Sequence, residues 1–353
     1  MPEEVLSAFG IQNETRLSPF GSGLINHTWK VSTPSRDYIL QKINPDVFKQ
    51  PANIAHNIRV IAGYLQKNHP GYFFVGPVKT MDGQEMFVHP DKGFFRLFPF
   101  VNGSYTFNVA PSTQHAYEAA KQFGLFTKLL SGVPVADLKT TIPDFHNLAL
   151  RYEQFLAAVQ HGNPARIKES EKLIDFIAAQ DFIVSRFEQI RSNASFKLRP
   201  THHDTKISNV LFDKDGKGLC VVDLDTIMPG YFISDVGDML RTYLCAASEE
   251  EKDFDQIEIR DEYFIAIVDG YLSEMKQELS KEEIGSFVYS GLFMTYMQAI
   301  RFLTDYLNND IYYEAAYEKH NYMRAKNQAT LLKKLREKES KFETMVNSFA
   351  FGV

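Results

Sequence analysis

Short apolar runs separated by glycine, asparagine and proline occupy the first hundred residues, a pattern typical of β-strands. We predict strands in the second half of 21–31, at 38–43 and at 94–101. A hairpin is predicted around Asp82-Gly83, a dipeptide favoured in tight turns. One helix interrupts these strands, because apolar side chains recur at helical spacing at Ile54, Ile58, Ile61 and Leu65.

The apolar spacing becomes helical beyond residue 110. The first helix in this part carries an apolar face at Ala116, Ala119, Phe123, Phe126 and Leu130. A region near 200–240 is irregular and rich in aspartate, histidine and glycine. Further helices are predicted at about 147–161, 166–191, 256–276, 281–306 and 312–340.

The change of pattern predicts an α+β protein built of two lobes. A small β-rich lobe, residues 1–103, precedes a larger and mainly helical lobe, residues 104–353. Ligands usually bind in the cleft between lobes, and we expect the polar loops of the helical lobe to face that cleft.

Composition narrows the classes of function. The chain has 353 residues, of which 44% are hydrophobic and 23% charged, as in ordinary globular proteins. A net charge of −6 argues against a nucleic-acid partner, and a run of about 18 apolar residues, which would predict a membrane helix, is absent. The two cysteines, Cys220 and Cys245, lie among apolar residues and are predicted to be buried free thiols. Because the N-terminus also lacks a signal peptide, we expect a cytoplasmic protein.

The most informative stretch is THHDTKISNVLFDKDGKGLCVVDLDTIMPG, residues 201–230. Its apolar runs 209–212 and 219–222 flank turn residues, so they predict a hairpin. Antiparallel pairing would bring Asn209, at the start of the first strand, beside Asp223, just after the second. Asp204 lies five residues before Asn209 in the entering loop, so three oxygen-bearing side chains are expected to converge.

Oxygen ligands of this kind suit Mg²⁺, a hard ion that takes few protein ligands and keeps several waters. One carboxylate and one amide would bind the ion, while Asp204 would stay off the metal and orient a hydroxyl group. That division of roles is typical of phosphoryl transfer, where positioning and electrostatics provide most of the catalysis.

HHDTKISN at 202–209, followed by VVDLD at 221–225, resembles the signature of aminoglycoside phosphotransferase- and choline kinase-like enzymes. The resemblance implies a protein-kinase-like fold, ATP as co-substrate and Mg²⁺ as cofactor, with nucleotide bound by the N-terminal lobe. It implies Asp204 as catalytic base and Asn209 and Asp223 as magnesium ligands. His202 would support the loop, and His203 replaces the glycine usual in the family.

A closer resemblance is to the N-acetylhexosamine 1-kinases. It rests on DTKISNVLF, VDLDTIMPGYFISDVGDMLRT and AIRFLTDYLNND. It implies transfer of phosphate to the anomeric hydroxyl of an amino sugar, N-acetylglucosamine or N-acetylgalactosamine. Asp225, Arg301 and Asp305 would then bind the substrate, with Arg301 and Asp305 on one helix face because they are four residues apart.

We expect the turn formed by Gly21, Ser22 and Gly23 to bind the nucleotide, with its backbone N–H groups approaching the phosphates. The family places a phosphate-binding lysine on the next strand. Here that strand offers Gln41 and Lys42, and because successive strand side chains point to opposite faces, only one faces the cleft. We choose Lys42 for its charge. Segment 53–66 contains no glutamate to pair with it.

Other functions remain open at this stage. The substrate could be an aminoglycoside, choline, homoserine or a methylthio sugar, although Arg301 argues against a cationic one. His202, His203, Asp204 and Asp223 could instead bind a transition metal in a hydrolase. The ambiguous lysine and the missing glutamate also permit a pseudokinase that binds nucleotide without turnover.

Overall fold

The computed structural model describes residues 3–11, 15–21 and 25–352. A five-stranded antiparallel sheet in the order β1-β2-β3-β5-β4 forms the small lobe. Helix α1 precedes the sheet, and helix α2 lies between its third and fourth strands. The elements are α1 (Glu3–Ala8), β1 (Arg16–Pro19), β2 (His27–Ser32), β3 (Asp37–Lys42), α2 (Pro51–Asn68), β4 (Phe87–His89) and β5 (Gly93–Pro99).

The large lobe is mainly helical and carries two short antiparallel strand pairs, β6 with β9 and β7 with β8. Its first helices are α3 (Thr113–Leu129), α4 (Leu148–His161), α5 (Pro164–Glu169), α6 (Glu171–Ala178) and α7 (Phe182–Ser192). The strands are β6 (Arg199–Thr201), β7 (Val210–Phe212), β8 (Gly218–Val221) and β9 (Met228–Gly230). The remaining helices are α8 (Phe232–Tyr243), α9 (Asp261–Met275), α10 (Lys281–Ile284), α11 (Phe287–Leu307), α12 (His320–Glu337) and α13 (Glu339–Phe351).

Helix α11 is the centre of the large lobe. Its side chains are buried on nearly every side, which is expected for a helix that is apolar all round. It packs against α4, α8 and α12. Helix α8, which directly follows the segment carrying Asp204, Asn209 and Asp223, therefore rests on a densely packed helical core.

The small sheet has two distinct faces. One face carries Val31, Tyr38, Leu40, Phe95 and Leu97, which form a core with the apolar side chains of α1. By strand alternation, the opposite face carries Thr28, Gln41 and Arg96 and is turned toward the large lobe.

Helix α2 joins the small lobe to the large one. Its apolar residues Ile54, Ile58 and Ile61 belong to the same contiguous core as the helices of the large lobe. Asn57, which is fully buried, donates from Nδ2 to the carbonyls of Lys139 at 2.7 Å and Ile227 at 2.8 Å, and its Oδ1 accepts from the Lys139 N–H. The helix, which contains no glutamate, thus binds large-lobe backbone through Asn57.

The predicted two-lobed α+β architecture is confirmed, and so is the hairpin formed by β7 and β8. The link between β5 and α3 spans 100–112, and the boundary at residue 103 stays a prediction. Both cysteines are free and buried, as predicted. Among the described helices, none combines the length and apolarity needed to cross a membrane.

Several element predictions were wrong. Asp82-Gly83 does form a turn, closed by the Thr80 N–H to Gln84 carbonyl bond, but β4 pairs with β5 and not with the segment before the turn. The single helix predicted at 166–191 is three helices, and the one predicted from residue 312 begins at His320. Helix α8 was missed, because the sequence near it is rich in aspartate and glycine.

Close packing of α8 on α11 makes a first prediction. A Cβ at Gly237 would overlap the Ser290 carbonyl oxygen and come within 2.9 Å of the Met294 Cβ. We expect Gly237→Ala to lower the free energy of unfolding by about 1–3 kcal/mol in urea denaturation. Gly63→Ala is the matched control: Gly63 lies in α2 with nothing within 4 Å, so this change should add about 0.4–1 kcal/mol. Equal stabilities for the two variants would contradict the packing described.

Candidate active site

The hairpin β7–β8 brings two candidate metal ligands together. Asn209 ends a short 3₁₀ turn directly before β7, and its carbonyl accepts from the Val222 N–H at 2.9 Å. Asp223 directly follows Val222 and has a left-handed backbone conformation, with φ of 60°. The residue is exposed to solvent at this open end of the hairpin.

Asp204 lies beside Asn209, as the spacing predicted. The Asn209 Nδ2 donates to the Asp204 carbonyl at 2.9 Å and to its Oδ2 at 3.1 Å. Lys206 Nζ is 3.3 Å from the other carboxylate oxygen, Oδ1. Burial would raise the pKa of Asp204, but the Lys206 charge and the Asn209 hydrogen bond outweigh it and hold the pKa below its usual value. Asp204 is therefore ionised at neutral pH and available as an acceptor.

The loop carrying Asp204 is held by buried hydrogen bonds. Asp235, in the first turn of α8, accepts from the His202 N–H at 3.1 Å and the His203 N–H at 2.7 Å. The Thr226 hydroxyl donates to the His202 carbonyl at 2.6 Å. The His202 ring nitrogens contact the Val222 carbonyl and the Asp204 N–H. These bonds connect the loop to α8, to the hairpin and to the segment after it.

His203 adopts φ of 66°, a conformation that favours glycine and so explains why glycine is usual at this motif position. Its ring packs where Gly230 lacks a side chain, since a Cβ there would overlap the ring. Its Nδ1 lies 3.2 Å from Nδ1 of His146. Burial lowers the pKa of both imidazoles, that of His203 to about 3, so both are neutral at physiological pH.

Negative charge is concentrated beside the hairpin. Although Asp223 reaches solvent, its carboxylate is surrounded by protein atoms in the cleft, and this desolvation, followed by the neighbouring Asp225 and Asp204 charges, raises its pKa to about 7. Arg96 and Lys206 act in the opposite direction but do not cancel this effect. A cleft with such an excess of carboxylate suits a cation.

These donors fit a magnesium ion in type. Asp223 supplies an accessible carboxylate and Asn209 an amide oxygen, the ligands that Mg²⁺ prefers. Across residues 3–11, 15–21 and 25–352, no three side chains of His, Cys, Asp or Glu converge as a metal site. Both ring nitrogens of His202 and the Nδ1 of His203 already contact protein groups, which disfavours the transition-metal hydrolase considered from sequence.

Asp225 does not present a free carboxylate to a substrate, contrary to expectation. It is buried and forms an ion pair with Arg96 of β5, while its Oδ2 accepts from Asn26 Nδ2 at 2.6 Å. Asn26 Oδ1 in turn accepts from the Asn44 N–H. Asp225 therefore connects the large lobe to the small one.

The strand register places Lys42, predicted to bind the phosphates, on the sheet face opposite the cleft. Lys42 pairs with His27 and Phe95, on the sheet face that packs against α1. Gln41 faces the cleft instead, and its Oε1 accepts from Arg96 Nε at 3.0 Å and Nη2 at 2.8 Å. Gly21 has φ of 77°, as a tight turn requires, and Ser22 and Gly23 lie outside the described residues.

The two candidate substrate residues on α11 have different surroundings. Arg301 is half-buried, with its guanidinium 5.9 Å from the Phe145 ring centre and 5.4 Å from that of Tyr313. Phe145 stacks on His146, which contacts His203 beside Asp204. Arg301 thus belongs to a wall that reaches the catalytic loop.

Asp305 has a structural role that the sequence did not predict. Its carboxylate accepts from the Tyr312 N–H at 2.7 Å, the Tyr313 N–H at 2.9 Å and Asn321 Nδ2 at 3.1 Å. These bonds fold the loop before α12 rather than leaving the carboxylate available to a ligand.

Sequence reasoning also missed Arg96 and Lys206. Arg96 is a lone charge in the apolar run FFRLF, and a charge inside a buried strand is itself a signal of function. Lys206 lies two residues after Asp204, in an extended segment that returns its side chain to the carboxylate.

The sequence pattern of the phosphotransferase enzyme family matches residues 16–273, nearly three quarters of the chain. The chain belongs to this family. The resemblance drawn from the HHDTKISN and VVDLD segments is thereby confirmed at the level of the family.

Solved structures share the fold of this phosphotransferase. An aminoglycoside phosphotransferase from Alicyclobacillus acidocaldarius superposes with a TM-score of 0.65 at 13% identity, covering 98% of this chain and 96% of that one. A microcompartment-associated aminopropanol kinase gives 0.63 at 16% identity, covering 96% and 97%. A spectinomycin phosphotransferase, solved with ADP and spectinomycin, gives 0.60 at 12% identity, covering 95% and 97%. At such identities the likeness establishes the fold.

The bracing of the catalytic loop generates a second prediction. Asp235→Ala removes the acceptor of two buried N–H groups, so the loop should shift and the phosphoryl-transfer rate of the phosphotransferase should fall about 10- to 100-fold. Asp213→Ala is the matched control: Asp213 also accepts from two backbone N–H groups, but in the exposed β7–β8 turn. Rates and urea unfolding of both variants should be compared, and equal losses of rate would exclude a specific role for Asp235.

Proposed function

We propose that this phosphotransferase is an ATP-dependent small-molecule kinase that phosphorylates the anomeric hydroxyl of an N-acetylhexosamine. The observation that carries the kinase proposal is the convergence of Asp204, Asn209 and Asp223 in a cleft between two lobes. Family membership and the ADP-bound neighbour support a nucleotide as the phosphate donor.

In the proposed reaction, Asp204 accepts the proton of the sugar hydroxyl. The hydroxyl oxygen attacks the γ-phosphorus in line, the bond to the bridging oxygen breaks, and ADP leaves. Lys206, beside Asp204, keeps the carboxylate ionised until the proton arrives. Asn209 fixes the carboxylate orientation by its hydrogen bond to Oδ2, which favours a reactive geometry.

Asn209 and Asp223 would hold Mg²⁺, which when bound neutralises phosphate charge and orients the phosphates. The Asp223 carboxylate is accessible and surrounded by other acids, so a cation relieves its repulsion from Asp225 and Asp204. Enclosure between the lobes would limit transfer to water, since α2 and Asp225 already join them.

The acceptor side favours a neutral polar substrate. Arg301 approaches two aromatic rings, and Arg151, Arg241 and Arg301 all add positive charge around His146. A guanidinium among aromatic faces suits hydroxyl and acetamide oxygens, whereas a positive wall opposes cationic amines. This supports the amino-sugar resemblance over choline or aminoglycoside acceptors.

The third prediction concerns the reaction itself. ADP release with Mg–ATP should be strong with N-acetylglucosamine or N-acetylgalactosamine, giving the 1-phosphate by NMR, and weak with choline, homoserine or kanamycin. Asp204→Asn should reduce kcat by about 10²–10⁴-fold, because the general base is lost, while ATP still binds. Turnover of amines alone would refute the sugar proposal, and ATP binding without turnover of any acceptor would favour a pseudokinase.

The fourth prediction tests whether Arg301 contributes to binding of the sugar. Arg301→Ala should raise KM for the acetamido sugar about tenfold or more and leave KM for ATP nearly unchanged, since one charged hydrogen bond is lost. Arg191→Ala serves as control, because Arg191 lies on the exposed face of α7 and pairs with Glu188. If both variants keep the parental KM for sugar, Arg301 has no role in binding it.

A further inference from the structure

His146 lies in a turn directly before α4 that is held by hydrogen bonds. Asn147, the N-cap residue of this helix, accepts from the Leu150 N–H with its side chain at 3.3 Å and donates from Nδ2 to the Asp144 carboxylate at 2.9 Å. Arg151 of the same helix donates to the Asp144 carbonyl at 3.0 Å. The backbone that carries His146 is therefore fixed by contacts on both sides of it.

One nitrogen of the His146 ring is engaged by a neighbouring histidine. Its Nδ1 lies 3.2 Å from Nδ1 of His203, and the two rings meet edge to face, with centroids 5.1 Å apart. Such a contact requires an N–H on one Nδ1 and a lone pair on the other. Phe145 stacks on the His146 ring at 4.4 Å. The contact and the stacking together set the orientation of the imidazole.

The other ring nitrogen of His146, Nε2, is free. Within residues 3–11, 15–21 and 25–352, no group forms a hydrogen bond with it. The residue is half-buried, and its Nε2 is not enclosed by protein. The two nitrogens of an imidazole point in diverging directions, so Nε2 is directed away from His203. The turn therefore presents one polar atom that a ligand can use.

This atom lies between the two groups already assigned to the acceptor. The Phe145 ring that stacks on His146 is 5.9 Å from the Arg301 guanidinium carbon. His203, which contacts the other side of the ring, directly precedes Asp204 in the chain. A substrate that reaches both Arg301 and Asp204 would thus lie against the wall that carries His146.

The surroundings keep the His146 imidazole neutral. Burial among protein atoms lowers its pKa most, and the charges of His203, Arg301, Arg241 and Arg151 lower it further. A neutral imidazole nitrogen forms a hydrogen bond with a hydroxyl group, which both donates and accepts, in either of its tautomers. An uncharged hydroxyl is also compatible with the nearby guanidinium groups, whereas an ammonium group would be repelled by them.

We propose that His146 Nε2 forms a hydrogen bond with a ring hydroxyl of the acceptor sugar, one other than the hydroxyl that is phosphorylated. His203 sets the orientation of the His146 ring through the Nδ1 contact, and His146 is a specificity-determining residue. The proposal rests on the proposed sugar-kinase function and adds a residue outside α11 to the acceptor site. A sugar without that hydroxyl leaves Nε2 unpaired, which is the basis of its discrimination.

Two substitutions separate the two ring nitrogens in the test. The amide of His146→Asn is close to the position of Nδ1, so it keeps a polar group facing His203 and removes the one facing the cleft. The longer His146→Gln places its amide near Nε2 and loses the contact with His203. His161→Asn is the matched control, because His161 lies at the exposed end of the same helix.

The measurement is KM for the N-acetylhexosamine, KM for ATP and kcat in each variant. His146→Asn should raise KM for the sugar about 3- to 10-fold, since one neutral hydrogen bond is lost, and leave kcat and KM for ATP within about twofold. His146→Gln should restore most of the sugar affinity. His161→Asn should match the parent protein in all three constants.

Sugar analogues that each lack one ring hydroxyl identify the bonded group. For one of these analogues, His146→Asn and the parent protein should have the same KM, because the partner of Nε2 is already absent. An increase in KM of the same size for every analogue would overturn the hydrogen bond to a hydroxyl.

A structural role for His146 predicts the opposite pattern. If His146→Asn matches the parent protein while His146→Gln loses kcat, His146 acts only through His203 and the proposal is wrong. Unchanged KM for the sugar in both variants would also overturn it, while leaving the kinase proposal intact. If the parent protein phosphorylates no N-acetylhexosamine, both proposals fail.

Discussion

Mutual repulsion among carboxylates is the constraint on which the cleft depends. Burial raises the pKa of Asp223 most, and the neighbouring Asp225 and Asp204 charges raise it further, so the three carboxylates lie close enough to influence one another. Arg96 from the small lobe and Lys206 from the loop that carries Asp204 offset part of this negative charge. The negative charge that remains favours a cation near Asp223. Phosphoryl transfer needs such a cation to neutralise phosphate charge.

The same charges hold the two lobes together. Arg96 and Asn26 of the small lobe both reach Asp225, while Asn57 of α2 binds backbone carbonyls of the large lobe. The Arg96–Asp225 pair and the Asn57–Ile227 bond are buried, where ion pairs and hydrogen bonds cost most to break, and the other two contacts are partly buried. The geometry of the cleft therefore depends on polar contacts between residues of the small lobe and residues of the large lobe.

The loop that carries Asp204 is likewise held by contacts from several elements. Asp235 accepts two backbone N–H groups, and the left-handed His203 fits because Gly230 leaves space for its ring. The helices α8 and α11 underneath approach closely at Gly237. Rigid packing below and hydrogen bonds above hold Asp204 within reach of Asn209, so the candidate base is positioned before any substrate arrives.

Prediction succeeded where a local pattern encodes the structure. The β7–β8 hairpin was evident from two apolar runs around a turn, and the family motif then gave Asp204, Asn209 and Asp223, which the structure brings together. Prediction failed where contacts with residues distant in sequence determine the outcome. Strand register determines whether Lys42 or Gln41 faces the cleft. The role of Asp305 depends on the backbone N–H groups of Tyr312 and Tyr313, which fold back onto its carboxylate.

The sequence by itself determined the family, the two-lobed α+β organisation and the acidic hairpin, because these depend on residue spacing and turn chemistry within short segments. The tertiary structure alone decided that Arg96 pairs with Asp225, since these residues are 129 positions apart and meet only when the sheet docks on the large lobe. Charge compensation in a buried cleft depends on distance and burial, and neither quantity is defined until the lobes are packed together.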